Sequence, residues 1–307
     1  MTANTKENRE APVDLHAAQF RELGHELVER IARFLEELPE QAVTQALSPA
    51  AVRELIGTGG LPSQGGDPAA LLGDAANLLC QHSLHNGHPA FLGYITSSAA
   101  PLGALADLLA ASVNSNVGKW DLSPVASEIE AQTVRWLAEL IRYPTDCGGL
   151  MVSGGNMANI LAFLTARNAK AGWDVRAEGH GKNSPRLTVY GSLETHTWIE
   201  KAAAVSGLGT HAVRWIATDS EQRICMDALR EQIARDRADG YQPLLLVGTA
   251  GNVSTGAIDP LAAMADLSEQ EQLWFHVDGA YGAPAATLDD APADLQVLAR
   301  ADSVALD

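Results

Sequence analysis

The 307 residues leave room for about two domains of roughly 150 residues, or for one large α/β domain with an appendage. Apolar residues make up 46% and charged residues 19%, enough to bury a large core and to exclude wholesale disorder. Twenty-one Lys and Arg against 38 Asp and Glu give a net charge of −17, which argues against a nucleic-acid binder and against docking on anionic lipid. Three cysteines, Cys80, Cys147 and Cys225, are an odd number with no C-x-x-C, so no disulfide framework is expected. No apolar run reaches the roughly 18 residues of a membrane span. Met1 to Glu10 is polar and charged, unlike a secretory signal, and reads as disordered. A cytoplasmic location is the expectation.

In chain order, Leu23, Leu27, Ile31, Phe34, Leu35 and Leu38 recur at three- and four-residue spacing and predict one apolar helix face, stopped by Pro39. Ser48-Pro49, Asp67-Pro68 and Ser123-Pro124 each read as a helix start, with a capping side chain followed by proline. Gly57 to Gly66 holds five glycines and reads as a loop. A Leu- and Ala-rich helix is expected over 101–111. From Gly149 the pattern changes. Apolar runs at 150–152, 187–190, 213–216, 244–247, 273–277 and 304–306 predict strands, with helical stretches between them such as 226–237 and 260–270, the latter capped by Asp259-Pro260. Continuous apolar strands alternating with helices predict a mostly parallel sheet covered on both faces.

Ligands of such sheets bind at the carboxyl ends of the strands. Ser153-Gly154-Gly155-Asn156, running into a helix, reads as a phosphate cradle of free backbone N–H groups, although it fits neither the Walker loop nor the dinucleotide fingerprint. A plain tight turn is the alternative. His196, after the run at 187–190, could stack on a flat ligand or carry a proton, or could be a surface histidine. Thr249 to Gly256 is a small polar loop suited to close backbone approach. Asp278, closing an apolar strand, needs a partner: a distant Arg, a metal or a protonated ring nitrogen. His82, His85 and His88 sit three apart, but Asn86-Gly87 breaks the helical face, and no metal site is expected there.

Taken together, His88-Pro89 near Phe91, Trp120 with Ser123-Pro124 and Glu128, Ser153-Gly154-Gly155 with Asn159, His196, Thr249-Ala250-Gly251 and His276-Val277-Asp278-Gly279-Ala280-Tyr281 stand in an order that resembles the group II pyridoxal-phosphate-dependent amino-acid decarboxylases. The resemblance implies an α/β fold of the fold-type-I class: an N-terminal helical segment over 1–95 and a cofactor-binding large domain over 96–307, with seven strands in the family. It implies pyridoxal phosphate as cofactor, an L-amino acid as substrate, amine and CO₂ as products, and a homodimer. Carried over by position, Gly155 and Asn156 would hold the phosphate, with Asn156 standing where the family usually has Ser or Thr. His196 would stack on the ring and help orient or protonate the substrate carbon. Asp278 would pair with the ring nitrogen, Ala280 would pack on the ring, and Phe91 would fall near the substrate pocket. Val253 stands where some members have Thr. The family's Schiff-base lysine follows a Ser-x-x-x-Asp-x-His-Lys stretch, of which Ser303 to Asp307 supplies the beginning. Lys119, Lys170, Lys182 and Lys201 are not expected at strand ends facing the site. The chain therefore reads as the N-terminal portion of such an enzyme, inactive alone and without the small C-terminal domain. An aminotransferase, a cysteine desulfurase, or a non-catalytic homologue are the other readings.

Overall fold

The computed structural model describes residues 14–181 and 184–307. The disorder expected for the first ten residues, and Lys182, lie outside the described residues. The chain forms two compact units, one ending at Leu109 and one beginning at Ala110.

The first unit is helical. Helix α1 (Ala17–Glu37) ends in a 3₁₀ turn, Leu38–Glu40, where Pro39 cannot continue the ladder. Of its apolar face, Leu23 and the following Leu38 are buried, Leu27, Phe34 and Leu35 are half-buried, and Ile31 is exposed, so the stripe is only partly covered. Helices α2 (Pro49–Ile56) and α3 (Pro68–His82) start as expected: Ser48 Oγ accepts from Ala51 N at 3.2 Å and Asp67 Oδ2 from Ala70 N at 2.8 Å. Arg30 on α1 reaches Asn77 on α3 at 3.2 Å. Helix α4 (Pro101–Val113) crosses the boundary between the units.

The second unit opens with α5 (Pro124–Leu140). Ser123 holds the N-cap position without a side-chain cap bond. Trp120 Nε1 donates to Glu128 Oε1 at 3.0 Å, tying the turn before α5 to its second turn. Helix α6 (Gly155–Lys170) and the short α7 (Val175–Glu178) precede the sheet. Its strands are β1 (Arg186–Ser192), β2 (Val213–Ile216), β3 (Tyr241–Thr249), β4 (Trp274–Asp278) and β5 (Ser303–Ala305), in the order β2-β1-β3-β4-β5, and every pairing is parallel. Helices α8 (Trp198–Val205), α9 (Met226–Ala238) and α10 (Leu261–Glu271) are the crossovers. Alternate residues divide the core into two faces. Leu245 and Val247 pack with Phe163 and Ile199 on the side of α6 and α8. Leu246, Phe275 and Val277 pack with Leu229, Ile233, Leu261 and Met264 on the side of α9 and α10. This is the doubly covered parallel sheet that uninterrupted apolar strands require.

Two expectations are corrected. The run at 150–152 is not a strand: Leu150 and Met151 are exposed, and Met151 N donates to Glu130 Oε1 at 2.8 Å rather than to a neighbouring strand. Apolar residues are necessary for a buried strand, but the ladder is made only by a partner, and this run has none among the described residues. Asp259 does not cap α10, whose N-cap is Pro260. Its carboxylate instead accepts from Ile224 N at 2.7 Å and Thr249 N at 2.9 Å, clasping the end of β3 to the segment before α9. Burial pushes its pKa up to about 6, against the lowering effect of those two N–H donors.

Candidate functional site

The chain leaves β1 towards β2 on one side and later returns with β3 on the other side of β1. The strand order therefore reverses between β1 and β3, and a crevice opens there at the carboxyl ends. The loops after β1, β3 and β4 meet at that end. Ala250 N donates to Asp278 O at 2.9 Å. Thr195 Oγ1 lies 3.5 Å from Thr249 Oγ1 and accepts from Ser192 N at 2.9 Å. Gly282 is required where two loops touch: a Cβ there would fall 2.1 Å from Ala250 O. The loop after β3 is held by Asn252, whose Oδ1 accepts from the backbone N–H groups of Ser254 and Thr255.

Asp278 is a buried carboxylate at this end, 7% exposed. Its Oδ2 accepts from Trp198 Nε1 at 2.7 Å, and its Oδ1 from Asn159 Nδ2 at 3.2 Å and Ala280 N at 3.3 Å. All three donors are neutral, and among the described residues no ion pair involves Asp278. Two residues earlier on the same strand face, His276 is fully buried. Its Nε2 is 2.7 Å from Asn159 Oδ1 and its Nδ1 is 2.9 Å from Ser303 Oγ. Burial pushes the His276 pKa down to about 4, with the neighbouring Asp278 opposing the shift.

The glycine turn is built as a helix start. Gly154 is the N-cap of α6 with φ +95°, a conformation that favours glycine. Gly155 and Asn156 open the helix, so their N–H groups have no intrahelical acceptor and lie at its positive end. A Cβ on Gly155 would sit 3.1 Å from both Ala280 Cβ and Asp307 Oδ2, so the glycine lets the helix end approach the loop after β4. Asn156 is exposed and Ala280 half-buried. His196 is exposed, and its Nδ1 accepts from Trp198 N at 3.2 Å, which puts the proton of the neutral ring on Nε2. Trp198 thus links His196, through its backbone, to Asp278, through its indole. Gly155, Asn156, His196, Asp278 and Ala280 all belong to this convergence in the second unit. Phe91 belongs to the first unit, where its N–H closes a turn on His88 O at 2.9 Å.

Residues 51–307 match the family model described as the pyridoxal-dependent decarboxylase conserved domain. The chain belongs to that family. It is 34% identical over 295 residues to an aromatic-L-amino-acid decarboxylase of Bacillus atrophaeus, covering 96% of this chain and 59% of the relative. The crystal structure of the glutamate decarboxylase domain of a diaminobutyrate-pyruvate transaminase and L-2,4-diaminobutyrate decarboxylase from Vibrio parahaemolyticus superposes with a TM-score of 0.86 at 26% identity, over 96% of this chain and 64% of that one. Catharanthus roseus tryptophan decarboxylase in complex with L-tryptophan gives a TM-score of 0.86 at 25% identity, over 96% and 63%. The chain thus spans less than two thirds of the length of these relatives. The family resemblance and the fold-type-I α/β class expected from the motifs are both borne out.

Three residues that build the surroundings of Asp278 have no assigned role in the sequence analysis. Trp198 gave no local signal. For Asn159 and His276 the spacing holds a clue: Asn159 is one helical turn after Gly155, and His276 shares a strand face with Asp278. Of the three histidines spaced three apart, His85 Nε2 bonds Cys80 O and His88 Nε2 bonds Gln41 O, each at 3.0 Å, while His82 bonds the Gln45 side chain. Among the described residues no group of three or more His, Cys, Asp or Glu is placed to hold a metal. No described helix is long and apolar enough to cross a membrane. Lys119 pairs with Asp121, Lys170 ends α6 and Lys201 lies within α8, so none of these stands at a strand's carboxyl end.

The folded state excludes a proton from His276 that the unfolded chain accepts near its ordinary pKa of 6.5. Stability from this residue is therefore complete above about pH 6.5 and is lost as pH falls towards about 4. Between pH 7 and pH 5 the wild type should lose more Tm than His276→Gln, which keeps a side-chain N–H but cannot titrate. Equal losses in paired thermal melts would contradict the burial argument.

Proposed function

We propose that this chain supplies the cofactor-binding part of a pyridoxal-phosphate-dependent enzyme that decarboxylates an L-amino acid. The observation that carries the reading is Asp278, a buried carboxylate with neutral donors only, at the strand-end crevice of a chain in this family. A buried charge wants a cation, and a protonated ring nitrogen is one. In this reading residues 96–307 form the cofactor domain and residues 1–95 an N-terminal helical segment.

Pyridoxal phosphate supplies a sink for the electron pair left on the substrate carbon when CO₂ departs. The chain's own groups do the rest. Gly155 and Asn156 donate N–H to the phosphate, aided by the helix dipole. Asp278 would hold the proton on the ring nitrogen. Ala280 packs against the ring. His196 would stack on the ring, and its Nε2–H, fixed by Trp198 N, would be the proton available to substrate. Phe91 is the residue that the family resemblance assigns to the substrate, and with the name of the Bacillus relative it favours an aromatic amino acid. Homodimerisation is supported by Val125, Ile129, Trp136 and Leu140, which lie along one side of α5 with more than half their surface exposed. A cytoplasmic setting agrees with three unpaired cysteines.

The test is to titrate the protein, together with any residues its gene encodes after Asp307, with pyridoxal phosphate, then to supply aromatic and acidic L-amino acids and identify products. Amine with stoichiometric CO₂ is expected. Keto acid without CO₂ would instead support the aminotransferase reading, and no saturable cofactor binding would sink both.

A further inference from the structure

Asn159 Nδ2 sits 2.9 Å from Gly155 O and 3.2 Å from Asp278 Oδ1. A backbone carbonyl can only accept, so the amide orientation is determined without reference to its other neighbours. The Asn159 oxygen must then face His276 Nε2, 2.7 Å away, and that nitrogen must carry a proton. In the neutral ring Nδ1 is bare, and it takes the hydroxyl proton of Ser303 at 2.9 Å. Ser303 Oγ in turn accepts from Trp274 Nε1 at 2.8 Å. The Ser303 carbonyl, 3.1 Å from Nδ1, would be served only by a doubly protonated ring, which burial disfavours. Every donor points the same way, from Trp274 through Ser303, His276 and Asn159 to Asp278. Such a chain polarises each successive bond. It also clamps Oδ1, while Trp198 clamps Oδ2.

We propose that Asn159 and His276 are positioning residues that aim the Asp278 carboxylate at the ring nitrogen of the cofactor through this one-directional hydrogen-bond chain. The inference rests on the reading of Asp278 given above. Neither residue touches the cofactor: both act through the carboxylate.

The full chain is titrated with pyridoxal phosphate and with its 1-deaza analogue, in which C–H replaces the ring nitrogen, following tryptophan fluorescence. Wild type should prefer the natural cofactor. Asn159→Asp and His276→Leu should each lose about tenfold of that preference, the scale of one broken buried bond to a charged group. His276→Gln, which keeps the donor, should retain it. A merely structural role would weaken both ligands equally and leave the ratio unchanged, which overturns the proposal. Equal affinities in the wild type would overturn the parent reading and the proposal with it. Independently of any ligand or variant fold, ¹⁵N-histidine spectra of the cofactor-free chain should show His276 protonated on Nε2. A ring protonated on Nδ1 alone would overturn the direction of the chain.

Discussion

If the proposed function holds, Asp278→Asn should lower turnover by a hundredfold to a thousandfold, roughly 3–4 kcal/mol of transition-state stabilisation, while leaving the fold intact. The carboxylate is 7% exposed and is met by donors at both oxygens. On the proposed reading, replacing it with an amide removes the charge that would hold a proton on the ring nitrogen, and with it the drive to withdraw electrons from the substrate carbon. One side of the amide will also oppose its N–H to an existing donor, a local cost of about 1–3 kcal/mol that shows in Tm. CO₂ release under single-turnover conditions, with circular dichroism as a control on folding, reads both effects. Turnover within a factor of a few of wild type would remove Asp278 from the chemistry.

Trp198 should show the largest stability effect of the site's neighbourhood. Its side chain is 1% exposed, and its ring meets Phe163 and His276 edge-on at centroid distances of 6.5 and 5.8 Å. Trp198→Ala should cost about 3–5 kcal/mol, because the surrounding core cannot close the cavity. Trp198→Phe keeps most of the packing and deletes the Nε1–H bond to Asp278 Oδ2. It should cost less stability yet weaken cofactor affinity by about tenfold, since one oxygen of the carboxylate loses its partner. Chemical denaturation and cofactor titration on the two variants separate these contributions. Equal cofactor affinity in Trp198→Phe and wild type would show that the indole N–H does not position Asp278.

Much of the architecture was legible because its causes are local. The runs at 187–190, 213–216, 244–247, 273–277 and 304–306 each coincide with or overlap a strand, since uninterrupted apolar residues fit only a sheet buried on both faces. Ser48-Pro49 and Asp67-Pro68 start helices because capping is settled within three residues. The run at 150–152 misled for the opposite reason: its composition is strand-like, but pairing depends on a neighbour that no local pattern specifies. Asp259-Pro260 misled because the same carboxylate can serve a helix end or a distant N–H, and Ile224, 35 residues away, took it.

By itself the sequence determined the alternation of strand and helix, the glycine turn after residue 152, the acidic strand end at Asp278 and membership of the decarboxylase family. Periodicity, capping and backbone freedom act over one turn or one strand, and motif order survives in the one-dimensional chain. Only the tertiary structure decided which groups hold the carboxylate. Trp198 lies 80 residues before Asp278 and Asn159 lies 119 residues before it. Their bonds exist because parallel crossovers bring α6 and the start of α8 over the same face of β4. A carboxylate buried on that face is stable only where such distant donors satisfy it.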